Sequence, residues 1–440
     1  MRPHPLFLLM VLFLPVSPAT AADAPGAVLP CAEPPPRAMA LGEVVELALC
    51  RHPKSRAALA EIRLQDAGVG ESRAALLPTV SASLEESLRR TRTAAPSGAV
   101  VQEKNGPGLS VSLSQLLFDF GKSQATLDKT RALLAAALAS RDRALQEVFL
   151  QAVRSFFALQ AKTAALQAAR TAEESATLAH EAARVRLEKG SGTVADRLQA
   201  RTQEVQARLE RVRAEGERRK AEGELANVLG LRADHPLQLT EPLEEETVVA
   251  EPPEVEQLID RALRLRPDLT AVQARRDAAR QEQRALKAAT MPRLTLEATG
   301  QAEENRDSRV TGNSLSLSLK VPLFEGYAPG YRVAGAEARG DSLEVEAQRL
   351  EQQVALEVWQ AWQEMRTARE AMAHTRALLE SATQAERVAM GRYKAGVGLM
   401  TELLAAQSAL ASARKQRVES LYDWNVARAT LATAMGRMEN

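Results

Sequence analysis

The chain has 440 residues, with 57 basic against 56 acidic side chains, 3% aromatics and five histidines. A balanced charge with so few aromatics excludes a basic nucleic-acid groove and a base-stacking platform. The histidines fall in no metal-ligand spacing and no nucleophile elbow, phosphate loop or other catalytic signature occurs, so neither an enzyme nor a cofactor- or metal-dependent protein is expected.

At the amino terminus, Arg2 and His4 precede the apolar run "LFLLMVLFLPV" (6–16), and the small residues of "SPATAADAP" follow. This is the pattern of a secretory signal peptide over residues 1–22, cleaved near Ala21 or Ala22. A membrane anchor fits less well, because the run falls short of the roughly 20 residues a spanning helix needs, and no later segment reaches that length. The N-terminal segment 23–40 carries Cys31, and Cys50 lies a little beyond. An exported chain meets an oxidising compartment, so a Cys31–Cys50 disulfide is open to it. A lipid on Cys31 is the competing reading, which Pro30 and the lack of small residues before Cys31 fit poorly.

The remainder is one unit written twice, over 41–231 and 254–440, joined by a Pro- and Glu-rich connector at 232–253. "ALCRHP" (48–53) answers "ALRLRP" (262–267) and "LLPTVSASLEES" (76–87) answers "TMPRLTLEATGQ" (290–301), both at an offset of 214. Farther on the offset is 206: "LEKGSGTVADRLQA" (187–200) answers "YKAGVGLMTELLAA" (393–406), and Gly230 answers Gly436. Such self-similarity marks a repeated structural unit.

Each unit reads as helix, strand, loop, strand, long helix, tight turn, helix. The strands are expected near 78–89 and 108–117, then near 292–300 and 313–322, with Pro78 and Pro292 at first positions, where a missing N–H costs no ladder bond. Between them, "RRTRTAAPSGAVVQEKNGP" (89–107) and "AEENRDSRVTG" (302–312) read as exposed hairpin loops. Along each strand, side chains alternate between faces. Val80, Ala82 and Leu84 share one face, as do Leu109, Val111 and Leu113, Leu294 and Leu296, and Leu315, Leu317 and Leu319. Ser, Thr and Glu occupy the opposite faces.

Ser123 to Leu187 contains no proline or glycine, and a continuous helix of that span is about 98 Å long. Leu138, Leu145, Ala152, Leu159 and Leu166 recur every seven residues, and Val358, Met365 and Met372 answer the last three. That spacing marks coiled-coil packing. The helix after the turn (about 193–229) and the one before the first strand (about 54–76) together match the long helix in length, so it is expected to pack against both. The turns lie near 190–192 and 396–399.

Four amphipathic strands need a partner for their apolar faces. An ordinary soluble sheet would cover that face with a helix. These strands instead approach the roughly 9–11 residues that cross a tilted bilayer, follow an export signal, and lie at one end of rods too long to fold over them. Phe118, Phe120, Phe324, Tyr327 and Tyr331 cluster where strand gives way to helix, as an interfacial girdle requires. Hydrocarbon permits strands only in a closed barrel, and four cannot close one, so a homotrimer with a twelve-stranded barrel is expected.

The duplicated strand starts "LLPTVSAS" and "TMPRLTLEA", the strand exits "LLFDFGK" and "PLFEGY", and the turns "LEKGSGTVADRLQAR" and "YKAGVGLMTELLAAQ" resemble those of the TolC-like outer-membrane efflux family over essentially the whole mature chain. The resemblance implies a mainly α fold: a trimeric outer-membrane barrel continuing into a long helical tunnel across the periplasm. It implies the exit duct of a tripartite efflux pump or type I secretion system, a passive conduit joined through a periplasmic adaptor to an inner-membrane transporter. Adaptor contact then maps to Gly190, Ser191 and Gly192 and to Val397, Gly398 and Leu399, although any tight helix-to-helix turn needs glycines. The family's tunnel entrance is narrowed by carboxylates, which maps a gate to Glu402, with Ala405 where some members carry a second acid and Asp196 as the repeat mate of Glu402. A soluble periplasmic coiled-coil adaptor or scaffold is the alternative; it accounts for the helical hairpins and leaves the strands unexplained.

Overall fold

The computed structural model describes residues 31, 38–96, 98–240, 254–305 and 308–438. The expected signal peptide, most of the segment 23–40 and the connector beyond 240 lie outside these residues. The two halves carry helices of equal length in the same order: 11 residues in α1 (Leu41–Arg51) and α5 (Val255–Leu265), 22 in α2 (Pro53–Ala74) and α6 (Pro267–Ala288). Next come 67 in α3 (Lys122–Glu188) and α7 (Ala328–Lys394), and 35 in α4 (Val194–Val228) and α8 (Met400–Ala434). At 1.5 Å per residue, the long helices reach about 100 Å. No helix among the described residues is long and apolar enough to cross a membrane.

The first helix of each half is broken in two, because proline disfavours helical backbone in the residue before it. His52 before Pro53 and Arg266 before Pro267 take ψ of 133° and 125°. The strands differ more from expectation. β1 (Thr79–Ala95) and β2 (Gly98–Phe118) absorb nearly all of the expected loop, and β3 (Arg293–Asn305) and β4 (Ser308–Lys320) do the same. Thr91, Thr93, Val100 and Val101 are good strand formers, and the antiparallel register of β1 and β2 runs through them to the tip of the hairpin.

The strands form one antiparallel sheet in the order β1-β2-β3-β4, leaving β1 and β4 as open edges. Beside it the helices lie in the order α2-α3-α6-α7, and farther away in the order α4-α3-α8-α7. The long helix α3 thus packs on α2 near the sheet and on α4 beyond. The core repeats with the sequence: Val44, Ala48, Val148, Ala152 and Leu225 pack together in the first half, and their mates Leu258, Ala262, Val354, Val358 and Leu431 in the second. Among the heptad positions, Leu159, Leu166 and Met372 are also buried, while Leu138, Leu145 and Met365 are half-buried. At the amino end Met39 bridges to Leu239, and Cys31 is bonded to Cys50 of α1 with Cα atoms 5.7 Å apart.

Candidate functional site

The sheet is the first candidate surface. Its register sets Val80 opposite Leu113, Ala82 opposite Val111 and Leu84 opposite Leu109. Leu113 then faces Ala298, and the second hairpin sets Ala298, Leu296 and Leu294 opposite Leu315, Leu317 and Leu319. Opposed residues share a face, so the apolar side chains of four separate segments merge into one surface. It is uncovered: Leu84 is 78% exposed and Leu315 74%, with Val80, Ala82, Val111, Leu317 and Leu319 exposed and Leu109, Leu113, Leu294 and Leu296 half-buried. The other face is hydroxyl-lined. There Ser81 hydrogen-bonds Ser112 at 2.7 Å and Ser83 bonds Ser110 at 2.8 Å.

The rim of this surface is aromatic. Phe118 sits opposite Leu294 on the apolar face, and its ring lies 4.8 Å from Phe120. Phe324 and Tyr327 meet edge to face at 5.5 Å, with Tyr331 close in sequence and equally exposed. Phe120 and Tyr327 adopt left-handed backbone (φ 56° and 65°), unusual for residues with a side chain, where the chain swings from strand into α3 and α7.

The far ends of the helices form the second surface. In both turns a left-handed glycine ends the helix: Gly190 at φ 72° and Gly396 at φ 84°. Two residues later, a Cβ on Gly192 would meet Leu187 N at 3.0 Å, and one on Gly398 would meet Tyr393 N at 3.0 Å. Ser191 N donates back to Arg186 O at 2.9 Å, and Val397 N to Arg392 O at 3.1 Å. Val397 (70%) and Leu399 (65%) project into solvent.

The repeat mates Asp196 and Glu402 diverge here. Asp196 accepts from Thr193 N at 3.3 Å while Thr193 Oγ1 accepts from Asp196 N at 3.0 Å, closing a capping box. Leu399 stands where Thr193 does and has no oxygen to cap with, which leaves the Glu402 carboxylate outside such a box. It lies 3.7 Å from Arg392, with 46% of its side chain exposed.

Sequence reasoning missed the groups that join the two turns. Arg186 stacks 4.7 Å above the Tyr393 ring, donates to Tyr393 O at 3.0 Å and reaches Ser191 O at 3.2 Å. Tyr393 is 2% exposed among Ala179, Ala183, Ala200, Met400 and Leu403, and its hydroxyl has no partner among the described residues. Burial pushes the phenol above its ordinary range, against the pull of the Arg186 charge. The available signal was positional: Arg186 and Arg392 are repeat mates, each six residues before a glycine that cannot carry a side chain.

A family model described as outer membrane efflux protein matches residues 44–231 and 258–437. Protein CyaE of Bordetella pertussis is 31% identical over 403 residues, covering 90% of this chain and 84% of that protein. Among solved structures, the outer-membrane channel OprN superposes with a TM-score of 0.79 at 19% identity, covering 90% of this chain and 89% of that one. The outer membrane protein VceC of Vibrio cholerae gives 0.76 at 20% identity, covering 91% and 97%. The open state of the MtrE outer membrane channel of Neisseria gonorrhoeae gives 0.75 at 21% identity, covering 90% and 89%. These likenesses show the fold.

Proposed function

The chain belongs to the outer membrane efflux protein family and is an outer-membrane channel protein; from that premise we propose that three copies close a twelve-stranded barrel on a continuous helical tunnel. The duct serves a tripartite efflux pump or type I secretion system, as a passive conduit that carries out no bond-breaking. The observation that carries this reading is the uncovered apolar face shared by all four strands, bounded by the open edges β1 and β4. Lipid is the partner of that face, because a bilayer tolerates strands only where every edge is paired, and the β4 edge of one copy pairs with the β1 edge of the next. The helices support the same closure: α4 and α7 border the open sides and leave Val205, Leu209 and Val212, and Leu356 and Trp359, exposed for a neighbouring copy.

In this reading Val80, Ala82, Leu84, Leu109, Val111, Leu113, Leu294, Leu296, Leu315, Leu317 and Leu319 face lipid, and Phe118, Phe120, Phe324, Tyr327 and Tyr331 lie at the inner interface. The turns at Gly190–Gly192 and Val397–Leu399 meet a periplasmic adaptor, which links the duct to an inner-membrane transporter. Three Glu402 carboxylates narrow the entrance and favour cations. The soluble rod alternative has no use for the strands, which lie inside the family match.

Membrane fractionation with paired variants tests the sheet. Leu317→Arg puts a charge on the lipid face at about 2–4 kcal/mol per copy and is expected to abolish recovery in the outer membrane. Ser316→Arg, on the hydroxyl face, is expected to fractionate as the parent does. Equal recovery of both variants would reject the barrel.

A further inference from the structure

The two β-hairpins share one register, so their innermost pairs are equivalent: Thr79 faces Ser114 in the first, and Arg293 faces Lys320 in the second. In the first, the Thr79 hydroxyl donates to Ser114 O at 3.3 Å. A neutral pair therefore satisfies the fold at this position. The second hairpin instead opposes two cations, which repel when they stand directly across an antiparallel pair. Both are exposed, and neither is joined to a carboxylate among the described residues. By strand alternation they share the face of Ser314, Ser316 and Ser318.

Arg293 and Lys320 also line a cavity of about 330 Å³ between sheet and helices, together with Lys122 and Arg332. Two carboxylates, Asp119 and Glu325, border it as well. Asp119 is already engaged: Oδ2 accepts from Ser123 N at 2.8 Å and Ser123 Oγ at 2.5 Å, and Oδ1 from Gly121 N at 3.1 Å. Four cations thus gather around two carboxylates, of which Asp119 is held back by its bonds to Ser123 and Gly121.

We propose that Arg293 and Lys320 form a cationic collar at the neck of the duct, where sheet gives way to helix, which binds oxyanion groups, carboxylate or phosphate, on material passing through. The proposal rests on the trimeric-duct reading, in which three copies set the pairs in a ring facing the pore. A ring of fixed charge at a pore constriction decides which ions dwell there. The guanidinium offers a planar fork to an oxyanion and the ammonium adds a compact charge beside it.

The test is single-channel recording of the full-length protein in phosphatidylcholine bilayers, with inorganic tripolyphosphate added as the probe. Tripolyphosphate is expected to block the wild-type pore, and the double variant Arg293→Gln/Lys320→Gln to raise the half-blocking concentration at least tenfold. Arg293→Lys is expected to retain most of the block. Each single glutamine variant is expected to weaken it, which keeps the test open if the double variant fails to insert. Unchanged block in the variants overturns the collar while leaving the duct intact, and so does block that disappears when phosphatidylglycerol is added, since that puts the site on the lipid side. A wild-type protein that forms no pores overturns the duct, and the collar with it.

Discussion

Arg186, near the end of α3, holds Tyr393, near the end of α7, by a ring contact of 4.7 Å and a hydrogen bond of 3.0 Å to its carbonyl. One side chain therefore ties the tips of both helical hairpins. Arg186→Ala removes a charge-assisted hydrogen bond and a cation–π contact, together about 2 kcal/mol. Amide hydrogen exchange is expected to quicken over residues 180–200 and 390–405 and to stay unchanged in β1. Unaltered exchange at the tips would show the contact to be incidental.

Glu402 differs from its mate Asp196 in having a cation, Arg392, 3.7 Å away instead of a capping box. Glu402→Ala is expected to raise single-channel conductance and lower cation preference. Arg392→Ala, which strips the neutralising partner, is expected to raise cation preference. Identical ion selectivity in both variants would remove Glu402 from the gate.

Gly398 cannot bear a Cβ without crowding Tyr393 N and Arg392 Cβ at 3.0 Å. Gly398→Ala therefore distorts the turn at a cost of about 1–3 kcal/mol and is expected to weaken adaptor capture. Val397, 70% exposed, is the position for a crosslinker. Val397→Cys carrying a short bifunctional reagent is expected to trap the adaptor. Efficient trapping from mid-α8 but not from Val397 would move the docking surface away from the turn.

Asp268 in α6 is pushed up by burial, but its hydrogen bond and charge contact with Arg266, aided by Arg143, win and hold its carboxyl below the ordinary range. A carboxylate depressed in the folded state contributes stability above its unfolded pKa of about 4, and the contribution is lost as pH falls through the folded value. Thermal stability is expected to decline below about pH 4 more steeply in the parent than in Asp268→Asn, which is less stable at neutral pH. Parallel acid limbs in the two proteins would contradict this.

Much of the architecture was legible from local pattern. Alternation along Leu315–Leu319 announced a one-sided strand, the unbroken stretch from Ser123 to Leu187 announced a long helix, and the offsets of 214 and 206 announced the duplication. The turn glycines marked the tips. Less legible were strand lengths, since polar residues such as Thr91 and Thr93 can sit in a loop or a ladder with equal local ease, and only pairing with Gln102 and Val100 decides. The expected helix near 54–76 matches α2, which starts at Pro53, whereas the short α1 ahead of it was not marked by any pattern of its own.

The sequence by itself determined the periodicities and the doubled order of elements, because these depend on neighbours a few residues apart. Only the tertiary structure decided that Leu113 lies beside Ala298, that Arg186 reaches Tyr393, and that Arg293 stands across from Lys320. Such pairings join segments that attract through their whole surfaces, and a side chain carries no local mark of which distant backbone will be brought against it.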